Sequence, residues 1–288
     1  MVLYQKALDT WQAWQIDTPE KLEARLDSFR VLFAYHSGKI ENEAVTYADT
    51  REIFEKGQVC GYTGPTRALF EQQNQKLCYD FLKDKIIARQ PLTLPLVLEV
   101  HRILASGTYD ERRYVVNGER PGEFKHHDYV TGVHEVGAYP EDVPNEMQTL
   151  LDEVNTIGRQ KPLLAAAYLH AAMENIHPFA DGNGRVGRTL MNYWLMINNY
   201  PPIVVHQENR TAYYRALQCY DETEELQPLM DFLQQETIQT WRRQMPSLMQ
   251  DEKPPRTSLA ELCQSAKASA TAINTNRIAP TISEPEQH

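Results

Sequence analysis

The chain has few cysteines and a shortage of positive charge, and each shortage excludes a class of protein. The four cysteines among 288 residues, Cys60, Cys78, Cys219 and Cys263, are widely scattered and lack the spacing of metal ligands. They resemble the free thiols of a reducing compartment. The 29 Lys and Arg residues against 39 Asp and Glu residues give a formal net charge of −10, which argues against a nucleic-acid-binding surface.

Long apolar segments are also missing. The N-terminus carries charge from Lys6 onward and has no apolar stretch of the kind that marks a signal peptide. The most apolar segment, 162–173, is shorter than the roughly 20 residues that a membrane-spanning helix needs. Residues 251–288 contain no aromatic residue, and their many Ser, Thr and Pro predict a largely disordered tail. We therefore expect a cytoplasmic protein without a membrane or nucleic-acid partner.

Most of the chain has apolar residues at helical spacing, which predicts an all-α, mainly helical fold. Residues 107–143 are the exception, because glycine and proline interrupt any helical pattern there. Val115-Val116 and Tyr129-Val130 favour short strands, and 124–139, with its Thr131-Gly132 turn, predicts a small β-hairpin.

A short polar stretch between two predicted helices, 177–188, contains the residue types of an anion site: His-Pro-Phe-Ala-Asp-Gly-Asn-Gly-Arg-Val-Gly-Arg. Gly182 and Gly184 flank Asn183 and allow positive φ or a close approach of the backbone to a ligand. The helix that follows adds the N-H groups and dipole of its N-terminus. Arg185 and Arg188 are three residues apart, so both can emerge from one face of the first turn.

Two further residues of this stretch suggest catalysis on phosphate. Asp181 offers a hard oxygen ligand, and Mg²⁺ is usually held by one or two carboxylates together with substrate phosphates. His177 has an ordinary pKa that lets it accept a proton near neutral pH. An ordinary capped turn between helices would account for the glycines and Asn183. It would not account for two arginines at a helix N-terminus, where the dipole disfavours cations.

The stretch resembles the Fic family motif, His-Pro-Phe-x-(Asp/Glu)-Gly-Asn-Gly-Arg-x-x-Arg, at every specified position, and the resemblance extends over about 32–241. It implies transfer of AMP from ATP to a Tyr, Thr or Ser hydroxyl of a protein. His177 would act as base, Asp181 would hold Mg²⁺, and Gly182, Asn183, Gly184 and Arg185 would hold phosphates. Doc-type relatives, which transfer the γ-phosphate, depart from the motif in the glycine loop, and this chain keeps both glycines.

The stretch Ser37-Gly38-Lys39-Ile40-Glu41-Asn42 is similar to the inhibitory motif of one Fic class, (Ser/Thr)-x-x-x-Glu-(Gly/Asn). Its position N-terminal to the core matches that class, whereas an ordinary surface turn with a solvated glutamate is the alternative. The resemblance implies that Glu41 pairs with Arg188 in bidentate fashion and blocks the γ-phosphate. It divides the chain into N-terminal helices with the inhibitory helix (1–60), a catalytic core (61–250) and the tail (251–288).

The resemblance also implies partners. The predicted hairpin near 124–139 corresponds to the family's flap, which would bind a protein target by strand addition. Tyr213 and Tyr214 lie where the family lines its adenosine pocket, although adjacent helical residues point about 100° apart and core packing is the alternative. Self-modification, a homo-oligomer, AMP removal, Doc-like phosphotransfer and a non-enzymatic nucleotide-sensing role stay open.

Overall fold

The structure is a computed structural model that describes residues 2–41, 44–129 and 137–245, except for the side chain of Ile157. The helices in these ranges are α1 (Val2–Ala13), α2 (Pro19–Glu41), α3 (Tyr47–Lys56), α4 (Thr66–Ile87), α5 (Leu94–Leu104), α6 (Val143–Ile157), α7 (Pro162–Ile176), α8 (Asn183–Ile197), α9 (Arg210–Thr223) and α10 (Gln227–Trp241). Two 3₁₀ turns, Gly158–Gln160 and Gln207–Asn209, and a π-helical turn, Arg112–Val116, complete the regular structure of this part. The prediction of a mainly helical fold is confirmed.

Helices α7 and α8 lie at the centre of the fold, where both are buried on nearly every face, α7 mainly through apolar side chains. Alanines such as Ala166 and Ala167 let neighbouring helices approach α7 closely, and both are fully buried. In α8, the side chains of Val186, Leu190 and Trp194 are fully buried. A helix that is hydrophobic all round belongs in a core. This central pair therefore supplies a rigid frame for the loop that joins its two members.

The α2 helix packs against α4, and the short α3 helix lies beside both. Thr46 and Asp49 form a capping box at the start of α3, where the Thr46 side chain accepts from the Asp49 amide and the Asp49 carboxylate accepts from the Thr46 amide. Leu22, Leu26 and Phe29 bury one face of α2. The last turn of α2 is thereby fixed against the core next to α8.

The predicted strands are not found among the described residues. Val115 and Val116 lie in the π-helical turn and are exposed, so the prediction of a strand there is wrong. β-Branched residues favour strands only where a partner strand and a buried face exist, and this segment has neither in the described structure. The predicted hairpin shows no strand in its described flanks, 124–129 and 137–139, and its centre, 130–136, lies outside the described residues.

Two other predictions concern residues outside the described ranges: Asn42, and the disordered tail at 251–288. None of the helices in the described part combines the length and apolar character needed to cross a membrane.

Candidate active site

The loop between α7 and α8 is rigidly built. His177 ends α7 with a left-handed backbone, φ 51°, while its amide donates to the carbonyl of Met173 at 3.0 Å. Gly182, with φ 85°, precedes the first residue of α8. The Asn183 side chain accepts from the Phe179 amide at 2.9 Å and donates to the Phe179 carbonyl at 2.8 Å. Because its amide is used in this way, Asn183 can bind an anion only through its backbone N-H.

His101 holds the loop through a hydrogen bond and a stacking contact. Its Nδ1 accepts from the Gly122 amide at 2.9 Å, so Nε2 carries the proton and donates to the carbonyl of Asp181 at 3.1 Å. Its ring stacks on Phe179 with centroids 3.7 Å apart. Burial lowers the pKa of His101 to about 3, which keeps the imidazole neutral. The second partner of the loop is Arg113, whose Nε donates to the carbonyl of Ala180 at 3.1 Å.

A cavity of about 250 Å³ opens above this loop. Its lining residues are Glu41, Arg113, Tyr129, Glu174, His177, Ala180, Asp181, Gly182, Asn183, Gly184, Arg188, Tyr213 and Tyr214. The structure thus brings the predicted base, metal ligand, glycines and inhibitory glutamate together. Of the other residues predicted to belong to the site, Ser37 lies behind the cavity and Asn42 is outside the described residues.

Arg188 is the most enclosed charge at this cavity, with a side chain only 1% exposed. Its Nη2 lies 2.8 Å from Oε1 of Glu41, so the predicted ion pair is present, although through this one contact rather than a bidentate fork. Ser37 adds two acceptors, its Oγ at 3.0 Å from Nε and its carbonyl at 3.2 Å from Nη2. Tyr213 accepts from Nη1 at 3.4 Å.

The Glu41 carboxylate occupies the position where the glycine loop would hold an anion. A Cβ atom placed on Gly184 would lie 2.5 Å from Oε1 of Glu41 and 2.9 Å from Nη1 of Arg188. Only glycine allows this approach, because any larger residue would collide with the ion pair. The positive end of the α8 dipole would favour a carboxylate here, as it would favour a phosphate.

Arg185 does not line the cavity in this structure, so its contact with a phosphate stays a prediction. Its side chain is 2% exposed, and its Nη1 donates to the carbonyl of Leu104 at 3.2 Å and lies 3.5 Å from Oε1 of Glu71. Its Nη2 lies 3.7 Å from Oδ1 of Asp181. The guanidinium has turned inward because the buried Glu71 carboxylate needs a counter-charge there.

The Asp181 carboxylate is paired with Arg67, a residue of α4 that the sequence did not single out. Nη2 of Arg67 lies 2.7 Å from Oδ2 of Asp181. Within the described residues, no three His, Cys, Asp or Glu side chains cluster closely enough to enclose a metal. One accessible carboxylate fits a Mg²⁺ ion that is completed by nucleotide phosphates, which is the way this ion is usually held.

His177 is a neutral base in this environment. Burial lowers its pKa to about 4, and the positive charge of Lys125 contributes to the lowering. A hydrogen bond to the backbone of Glu174 and the carboxylates of Asp181 and Glu41 act in the opposite direction but are weaker. The imidazole is therefore free to accept a proton at neutral pH.

Tyr213 and Tyr214 face different surroundings, as their helical spacing predicts. Tyr213 is buried, and its hydroxyl lies 2.6 Å from Nε2 of His170 and accepts from Arg188. Tyr214 is exposed and stands at the cavity rim with the guanidinium of Arg210 5.5 Å from its ring centroid. Only Tyr214 has a ring face open to a flat ligand, whereas Tyr213 fixes Arg188.

Glu174 is a cavity residue that the sequence analysis missed, although its position three residues before His177 on α7 puts both on one helical face. Its Oε1 is enclosed and has no described hydrogen-bond partner. Burial raises the pKa of Glu174 to about 7, against the opposing charge of Arg188. Tyr129, which lies in the predicted hairpin, and Arg113, for which the sequence gave no functional signal, complete the wall of the cavity.

Comparisons with known proteins point to one family. Residues 91–195 match the Fic/DOC family. Protein adenylyltransferase Fic from Drosophila persimilis is 29% identical over 244 residues, which are 79% of this chain and 45% of that protein. The corresponding protein of Drosophila melanogaster is 28% identical over 244 residues, 79% of this chain and 46% of that protein. The chain therefore spans less than half the length of these relatives.

Solved structures are similar to this fold. A Fic domain containing signaling protein from Bacteroides thetaiotaomicron superposes with a TM-score of 0.73 at 25% identity, covering 86% of this chain and 97% of that one. Fic-1 from C. elegans superposes with a TM-score of 0.70 at 22% identity, covering 87% of this chain and 73% of that one. The latter likeness concerns the fold alone.

Proposed function

We propose that this chain, whose residues 91–195 match the Fic/DOC family, transfers AMP from ATP to a hydroxyl group of a protein side chain. The relatives named protein adenylyltransferase support this activity. The observation that carries the proposal is the meeting of His177, Asp181 and the N-terminus of α8 in one cavity. A base, a ligand for a hard cation and an anion site are the parts that phosphoryl-group chemistry requires.

The proposed reaction uses ATP and a target Tyr, Thr or Ser side chain. The neutral His177 imidazole takes the proton from the target hydroxyl, whose oxygen attacks the α-phosphorus in line with the departing pyrophosphate. Mg²⁺ held by Asp181 and the phosphates would neutralise charge on the nucleotide. The backbone N-H groups at Asn183 and Gly184 hold phosphate oxygens, and Tyr214 offers its ring to the adenine.

We further propose that Glu41 inhibits this reaction. Its carboxylate pairs with Arg188, the guanidinium that would otherwise take the γ-phosphate, and lies above Gly184 in the anion site. ATP would then be excluded, or bound with its α-phosphorus out of line. A displacement of about 1 Å at a reacting centre can cost a hundredfold in rate.

The target would bind along 124–139, the predicted flap. Glu119, which is buried, accepts from the amide of His126 at 3.1 Å and from the Tyr129 hydroxyl at 2.9 Å. Tyr129 in turn lines the cavity. This fixed flank supports a role of the segment in guiding a peptide toward His177, and self-modification would use the same path.

The test is the intact mass of the Glu41→Gly protein after incubation with Mg²⁺ and ATP. Removing the carboxylate opens the anion site, so we expect covalent addition of AMP that the parent shows far more slowly. The double variant Glu41→Gly/His177→Ala is the control, and loss of the base is expected to slow labelling by about 10²–10⁴-fold.

Two results would contradict the proposal. Addition of a phosphate instead of AMP would assign Doc-like phosphotransfer to this loop. If the Glu41→Gly variant binds ATP tightly but forms no covalent product, the protein would instead be a non-enzymatic nucleotide-sensing module. If Glu41→Gly labels itself no faster than the parent, the inhibitory role of Glu41 is wrong even if the activity is present.

A further inference from the structure

We propose that Arg67 is the resident counter-charge of Asp181, and that a divalent cation must displace it before nucleotide is held for transfer. The inference rests on the proposed function, because it assumes that Asp181 is the cation ligand. Arg67 would then be a positioning residue that sets the cation dependence of nucleotide binding. This role of Arg67 concerns Asp181 and is separate from the contact between Glu41 and Arg188.

The first line of support is the geometry of Arg67. It lies in the first turn of α4, 114 residues from Asp181 in sequence. Its Nη2 is 2.7 Å from Oδ2 of Asp181, and its Nε is 2.9 Å from Oε1 of Glu71. The guanidinium thus joins two carboxylates that would otherwise repel each other. A cation within coordination distance of Asp181 would stand beside this guanidinium.

The second line is the difference between the two arginines near Asp181. Arg185 contacts both Glu71 and Asp181, the two carboxylates that Arg67 also contacts. Its side chain is 2% exposed, so its guanidinium cannot move into solvent. Arg67 is 38% exposed and lies on the surface of the first turn of its helix. Of these two guanidiniums, only that of Arg67 can therefore leave the carboxylate without being buried alone.

The third line is charge balance. Two carboxylates, Glu71 and Asp181, alternate with two guanidiniums, Arg67 and Arg185, so this group of four is neutral. Adding a divalent cation leaves this site positive even after Arg67 has moved away, unless phosphates arrive with the cation. The arrangement therefore favours a cation that enters together with nucleotide, and disfavours a cation that enters alone.

The test measures Mn²⁺ binding by electron paramagnetic resonance in the presence of ADP, with Mn²⁺ as the probe for Mg²⁺. Every protein compared carries Glu41→Gly, so the carboxylate above Gly184 does not compete with the ADP phosphates, and the protein with this change alone is the parent. We expect Arg67→Met to lower the Kd for Mn²⁺ about two- to fivefold, the range of a partly exposed ion pair. Arg67→Lys keeps the charge and is expected to return the Kd toward that of the parent.

The matched control is Arg51→Met, which removes an arginine from an exposed pair with Glu55 on α3 and is expected to leave the Kd unchanged. Asp181→Asn is the reference for the cation ligand, and thermal unfolding of each variant checks the fold. An unchanged or raised Kd in Arg67→Met overturns the inference while Asp181→Asn still loses Mn²⁺. If the parent binds no Mn²⁺, or Asp181→Asn binds it like the parent, the proposed role of Asp181 fails and the inference fails with it.

Discussion

At the scale of single residues, the ion pair between Glu41 and Arg188 is asymmetric. Arg188 is 1% exposed and is held by Ser37 and Tyr213 as well as by Glu41. Glu41 is 36% exposed and can return to water by a side-chain rotation. Because a buried charge is costly to leave without partners, the glutamate is the group that moves. Release of the inhibition proposed for Glu41 would therefore need no displacement of α8.

Ser37 gives a graded test of this interpretation. Ser37→Ala removes the acceptor 3.0 Å from Nε of Arg188 but keeps the backbone acceptor 3.2 Å from Nη2. Loss of one hydrogen bond to a charged group costs about 1.5–3 kcal/mol in the closed state, and the equilibrium shifts toward the open one. We expect self-labelling with ATP faster than in the parent but slower than in Glu41→Gly, measured by intact mass over time.

The control for Ser37→Ala is Ser28→Ala, which changes an exposed serine on the same helix. Labelling by the control should equal that of the parent. A Ser37→Ala protein that labels no faster than the parent would show that the serine hydroxyl does not hold the closed state.

His177 predicts a pH dependence of transfer. Only the neutral imidazole accepts a proton, and burial together with Lys125 lowers its pKa to about 4. In the Glu41→Gly background, we expect a labelling rate that is flat on the acid side down to about pH 5 and is lost as the pH falls through about 4. Lys125→Met removes a charge that disfavours the imidazolium, so it is expected to move this acid limb to higher pH.

Lys161→Met is the matched control, because this exposed lysine precedes α7 at the end opposite to His177. It should leave the acid limb in place, and circular dichroism at each pH separates titration from unfolding. If the acid limb does not move in Lys125→Met, the charge of Lys125 does not influence the pKa of His177.

At the scale of helices, the sequence predicts features that depend on neighbouring residues, such as helix ends, better than contacts between distant parts of the chain. The apolar segment 162–173 lies within α7, which begins at Pro162, a residue tolerated in the first turn, and ends before Pro178, which cannot continue a helix. The pairing of Glu41 with Arg188 spans 147 residues and was predicted only because the resemblance to a family linked the two motifs. The inward turn of Arg185 and the contact of Arg67 with Asp181 could not be predicted, because they depend on where α4 docks. The π-helical turn at Arg112–Val116 was missed because β-branched residues suggest a strand wherever tertiary packing is unknown.

The α2 helix is part of the core and not a separate arm. Its Leu22, Leu26 and Phe29 are buried, and its last turn is fixed by the buried Ile40. Burying such side chains stabilises a fold by about 1.5–3 kcal/mol each, which exceeds what a single partly exposed ion pair contributes. Activation by detachment of the whole helix would therefore cost much more than rotation of Glu41.

At the scale of the whole molecule, aromatic residues join the two ends of the described chain. Trp11 lies 5.1 Å from Trp241 and 5.8 Å from Trp14 between ring centroids, and Phe29 of α2 stacks on Trp241 at 5.9 Å. The indole of Trp241 also donates to the carbonyl of Pro202 at 2.8 Å. Helices α1, α2 and α10 thus share one cluster, which couples the position of α2 to the stability of the fold.

This coupling predicts that loosening the aromatic cluster destabilises the protein without activating it. Trp11→Ala removes a fully buried indole, and such a change costs about 3–5 kcal/mol of unfolding free energy, measured by urea titration. Below its unfolding transition we expect self-labelling no faster than in the parent, because the contact between Glu41 and Arg188 lies at the other end of α2. Gln12→Ala, an exposed change on α1, is expected to stay within about 0.5 kcal/mol of the parent. Labelling by folded Trp11→Ala at the rate of Glu41→Gly would mean instead that α2 leaves as a unit, and that inhibition is set by the packing of the whole helix rather than by one carboxylate.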